Sequence, residues 1–104
     1  MFWRRSKKEG SHDLTGRWTV DPSDAATINE LGDAALEFHA DGRLTYTVRQ
    51  PDKDQIMLLT YRVEGSLIVT DQPSHPGEQR SEFQVNGDRL MVMFGGQRSH
   101  FVRV

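Results

Sequence analysis

The chain of 104 residues has no cysteine, which excludes disulfides, thiolate metal sites and a cysteine nucleophile. A small domain that stands without disulfides suits a reducing compartment, and a cytoplasmic location is expected. No apolar run approaches the roughly 18–20 residues that a membrane-crossing helix needs. The opening segment, Met1-Phe2-Trp3-Arg4-Arg5-Ser6-Lys7-Lys8, lacks the apolar stretch of a secretory signal. Histidine is sparse, at positions 12, 39, 75 and 100, with no His-x-His pair and no spacing typical of a metal site. His100 follows Ser99 directly, and adjacent strand residues point to opposite faces, so the two form no nucleophile–base pair. Asp52, Asp54, Asp71 and Glu78 read as a solvated rim. No catalytic residue, metal or other cofactor is expected, and the chain is not read as an enzyme.

Positive charge is also short in the body. Arg4, Arg5, Lys7 and Lys8 against Glu9 make the first ten residues +3, which leaves nine basic and fourteen acidic side chains, a net of −5, to the rest. Such a body offers no basic stripe for a phosphate backbone, and nucleic acid is not expected as a partner. Residues 1–12 read as a basic, flexible tail with too few apolar side chains to anchor to a membrane. Residues 13–104 read as one domain, as their number suggests.

That body alternates with period two between turn signals. Arg17-Trp18-Thr19-Val20 is a first strand. Asp21 and Pro22 then read as the N-cap and first residue of a short helix over 22–31, with Ala25, Ile28 and Leu31 on one face and Gly32 at its end. Leu36 and Phe38, then Leu44, Tyr46 and Val48, flank Asp41-Gly42 as a hairpin. Glu64-Gly65 and Asn86-Gly87-Asp88 mark two further hairpins. The expectation is all-β: a single antiparallel up-and-down barrel of about eight strands, with one short helix after the first. In a meander the tight turns gather at one end. The helix, the 50–55 and 71–79 loops and Gly95-Gly96 gather at the other.

Gly16-Arg17-Trp18, Leu36-x-Phe38-x-x-Asp41-Gly42-x-Leu44-x-Tyr46, Tyr61-x-Val63-x-Gly65-x-Leu67-x-Val69 and Phe83-x-Val85-x-Gly87-Asp88-x-Leu90 together resemble the small bacterial lipocalin-like domains of the calycin group. The resemblance implies structural roles for Gly16, Trp18 and Arg103, with Arg103 packed across the Trp18 indole at the closed end. It also implies a non-enzymatic binding module for a small apolar ligand, entering at the helix-and-loop end. Ile28, Leu31, Tyr46, Val48 and His75 are the expected ligand contacts.

Eight strands can also enclose an interior that side chains simply fill. The alternative reading is then a protein–protein module, an inhibitor, immunity or accessory protein. Ile56, Leu58 and Ile68 are expected on the outer face as a patch for a homodimer or another protein partner.

Overall fold

The computed structural model describes residues 14–94 and 96–104. The expected tail at 1–12 lies outside them, as does Gly95 of the expected Gly95-Gly96 turn. Among the described residues eight strands and one helix follow in order: β1 (Gly16–Val20), α1 (Ala25–Leu31), β2 (Asp33–Phe38), β3 (Arg43–Arg49), β4 (Asp54–Glu64), β5 (Leu67–Asp71), β6 (Gln79–Asn86), β7 (Arg89–Phe94) and β8 (Gln97–Arg103). Each strand pairs antiparallel with its successor, and β8 returns to β1 to close the barrel. No helix among the described residues is long and apolar enough to cross a membrane.

The tight turns set the register. Glu64 faces Leu67 across the two-residue loop Gly65-Ser66, and Asn86 faces Arg89 across Gly87-Asp88. Both loops begin with a glycine at positive φ, +61° at Gly65 and +64° at Gly87, a conformation that side chains with a Cβ resist. The ends sort as a meander requires, with these turns and the Asp41-Gly42 hairpin opposite the helix and long loops. Trp18, Leu36, Phe38, Leu44, Ile68, Phe83, Leu90, Val92 and Phe101 form the buried interior, joined by Leu14 from the segment before β1.

Three expectations are corrected here. The N-cap is Asp24, not Asp21, because the Asp24 carboxylate is the one that accepts from the Ala26 and Thr27 amides. The helix therefore starts at Ala25, and its buried residue is Thr27, leaving Ile28 41% exposed. Ile68 does not lie on the outer face. Directly paired residues share a face, and the Gly65-Ser66 turn sets Ile68 opposite Val63, which packs against the core.

Leu67 and Val69, which the Tyr61-x-Val63-x-Gly65-x-Leu67-x-Val69 alternation puts in phase with Tyr61 and Val63, are thereby turned outward. Val69 is nonetheless buried. It sits in register between Arg62 and Arg80, whose guanidiniums both reach Glu78, and long stems of this kind cover apolar neighbours.

Candidate functional site: the helix-and-loop end of the barrel

The opposite end is sealed. The Arg103 guanidinium carbon lies 4.2 Å from the Trp18 ring centroid. Its Nη1 donates to the Thr15 carbonyl at 3.0 Å, and its Nε lies 3.7 Å from Asp88. Trp18 Nε1 donates to the Leu14 carbonyl at 2.9 Å. Gly16 has φ +123°, a conformation that residues with a Cβ resist, and a Cβ there would stand 3.2 Å from Arg103 Nη1, so that side chain would have to give by a few tenths of an ångström. A ligand would have to enter elsewhere.

Register places Tyr46, Val48, Met57 and Leu59 of β3 and β4 on the inner face, with Thr70 of β5, Gln79 and Ser81 of β6, Phe94 of β7, and Gln97 and Ser99 of β8. Tyr46, Leu59 and Phe94 are half-buried and packed on the core, as is Leu31 at the end of the helix. Burial pushes the Tyr46 phenol up from its ordinary pKa, so it stays a neutral hydrogen-bond donor at physiological pH. Ser99 is fully buried, and its hydroxyl has no hydrogen-bond partner among the described residues. Unpaired groups of this sort are uncommon, since each costs about 1–3 kcal/mol.

The 72–78 loop leans over this end. Asp71 accepts from the Gly77 amide at 2.9 Å, and the His75 amide donates to the Gln72 carbonyl at 2.8 Å. Beneath it a cleft of about 260 Å³ is lined by Leu59, Thr70, Asp71, Gln72, His75 and Gln79, among others. A second cleft of about 420 Å³ on the loop's far side meets Ile56, Met57 and Leu58.

Of the expected ligand contacts, Leu31 and Tyr46 both pack on the core, Val48 is half-buried on the inner face, and His75 lines the smaller cleft. Ile28 is not on the helix's buried face. Of the expected outer patch, Ile56 and Leu58 stand out at 58% and 67% exposed, without Ile68. The polar inner residues Thr70, Ser81, Gln97 and Ser99 carry no local sequence signal, because a polar side chain at an inward position mimics a strand's solvent face.

A polar cluster pins the helix to β8. Asp24 accepts from the Thr27 hydroxyl at 2.7 Å and lies 2.6 Å from His100 Nδ1. The His100 amide donates to Thr27 Oγ1 at 3.0 Å, and the Asp21 amide donates to the His100 carbonyl at 2.9 Å. These bonds satisfy the peptide groups of β8 where β1 has ended, since the β1–β8 ladder stops at Val20 and Phe101. The Thr27 hydroxyl, then the His100 ring and the Thr27 amide, lower the Asp24 pKa to about 2. Asp21 is also lowered, chiefly by the Ser23 amide and hydroxyl, with Arg89 adding a smaller effect.

No protein-family model matches the sequence, and no curated protein is similar to it.

Proposed function

We propose that the protein is a non-enzymatic, lipocalin-like binding module of the cytoplasm, taking a small apolar ligand at the helix-and-loop end. The observation that carries this reading is the inner wall of that end. Half-buried Tyr46, Leu59 and Phe94 supply apolar surface, Thr70 and Gln79 supply a polar edge, and the 72–78 loop forms a cleft with Leu59, Thr70 and Gln79. Burial of the apolar wall supplies affinity at about 25 cal/mol per Å², and the polar edge with the Tyr46 hydroxyl sets orientation. The 260 Å³ cleft limits the ligand to a compact molecule or to one end of a longer one. The Trp18–Arg103 stack supports the lipocalin-like part of the reading.

The test is a titration with N-phenyl-1-naphthylamine, a neutral apolar probe that fluoresces when shielded from water. Saturable one-to-one binding is expected in the wild type, weakened at least tenfold in Leu59→Arg, which places a charge in the cleft. Binding that is absent, or unchanged in Leu59→Arg, removes the ligand reading. A second reading, a protein-interaction module, is favoured by the exposure of Ile56 and Leu58 on neighbouring outward positions of β4.

A further inference from the structure

A groove of about 390 Å³ runs over the outer face of β6, β7 and β8, away from the barrel mouth. Its lining includes Gln84, Asn86, Arg89, Met91, Arg98 and His100, and holds no carboxylate. On a body whose net charge is −5, this lining carries two arginines and no acid. Gln84, Met91 and His100 lie side by side in register, with Asn86 and Arg89 in the row below. Arg98 pairs in register with Met93 above.

Two of the three basic side chains, Arg89 and His100, are held from behind. Arg89 Nη2 donates to Asp21 Oδ2, with the Arg89 side chain 62% exposed and that of Asp21 only 5%. His100 gives Nδ1 to Asp24, whose other bonds go to the helix it caps. The acids are thus committed to these contacts, while the side chains they hold line the groove. That arrangement fixes one imidazole edge and leaves Nε2, which has no partner among the described residues. Arg98 completes the set. Arg43, Arg49, Arg62, Arg80, Arg89 and Arg103 each have an ion pair, whereas Arg98 and Arg17 have none among the described residues.

We propose that this groove is an anion site for a phosphate monoester. The two guanidiniums and the imidazole would meet the phosphate oxygens, the Gln84 and Asn86 carboxamides would donate to its edge, and Met91 would pack against the organic group. Guanidinium forks match phosphate geometry, and two cations from separate strands suit a dianion better than a single carboxylate. The polar network at Asp21 and Asp24 lowers the ordering needed on binding, because Arg89 and His100 are already placed.

The experiment follows amide and imidazole NMR signals of the full chain at pH 7 and constant ionic strength. Phenyl phosphate and inorganic phosphate are titrated separately into the wild type, Arg98→Gln and Arg17→Gln. Both exchanged arginines are exposed and have no ion pair among the described residues, so both variants are expected to keep the fold, and Arg17 lies on β1 outside the groove. Saturable shifts centred on Gln84, Met91 and His100 are expected, tighter for phenyl phosphate. Arg98→Gln should weaken them about tenfold or more, as loss of a charge-assisted contact does, while Arg17→Gln changes them less than twofold. Tighter binding of inorganic phosphate would keep the site but make the free ion its ligand. Unsaturated shifts, or equal weakening in both variants, would reduce the groove to general surface charge and overturn the proposal.

Discussion

The two ends of this barrel differ in how their inner residues are satisfied. At the closed end Trp18 has its ring covered by Arg103 and its N–H bonded to Leu14, and Arg103 in turn reaches Thr15 and Asp88. At the other end polar side chains occupy inward positions beside half-buried Tyr46, Leu59 and Phe94, and the Ser99 hydroxyl is buried without a partner among the described residues. Packing at the first end is therefore spent on stability. The second end keeps surface and hydrogen-bonding capacity that folding alone does not use, and such regions are where binding sites are found.

The largest expected effect tests the closed end. Trp18→Ala removes a fully buried side chain and leaves Arg103 without its platform, so urea unfolding should show a loss of about 3–5 kcal/mol. Arg103→Ala keeps the indole and loses only its cover, for which about 0.5–2 kcal/mol is expected. If Arg103→Ala were as damaging as Trp18→Ala, the closed end would be held by the cation and its hydrogen bonds, not by the packed ring. Probe binding at the far end should survive Arg103→Ala unchanged.

A middle-sized effect concerns the helix. Asp24 titrates near 2 in the folded chain against an ordinary 3.8. A carboxylate whose pKa is depressed by folding contributes stability that is complete above its unfolded value and is lost as pH falls toward the folded one. Between about pH 4 and pH 2, then, the helix should come loose from β8, helped by the lowered Asp21 beside it. The His100 amide, which donates to Thr27, should lose hydrogen-exchange protection at higher pH than the Trp18 indole N–H. Asp24→Asn retains a capping oxygen and should flatten that acid limb. Loss of protection at both ends together would mean that the barrel opens as one unit.

Much of this architecture is legible in the chain because its signals are local. Asp41-Gly42, Asn86-Gly87 and the alternation on either side of them place strands and hairpins without reference to the rest. The roles of Gly16, Trp18 and Arg103 are expected from the resemblance to lipocalin-like domains, and the two ends of the meander do meet there. Leu67-Ile68-Val69 fails for a plain reason: three consecutive apolar residues carry no parity, and only the two-residue turn before them decides which one faces Val63. The helix start fails because Asp21 and Asp24 are equally good caps on paper, and reach to the first free amides decides between them. His100 and Asp24 lie 76 residues apart, and no short-range rule joins them. The same holds for the cationic groove, whose members come from three strands.

The smallest effect on stability belongs to the exposed residues of β4. Ile56 and Leu58 face outward beside Thr47 and Thr45 of β3, where β4 runs on beyond the end of its ladder with β5. Leu58 is 67% exposed, so replacing it removes little that folding has buried, and Leu58→Lys should change stability by no more than about 0.5 kcal/mol. Its effect on association is the informative quantity. With Ile68 turned inside, the patch has lost a third of its expected members and is confined to one strand. Specific stable interfaces bury about 1,200–2,000 Å² in all, and two side chains supply only a small part of that. If the protein-interaction reading holds, sedimentation at micromolar concentration should show a dimer that Leu58→Lys weakens, because the charge would be buried unpaired at its centre. A wild-type protein that sediments as a monomer, with Leu58→Lys indistinguishable from it, would leave β4 an ordinary solvated strand. Functional weight would then rest on the inner wall at the helix-and-loop end.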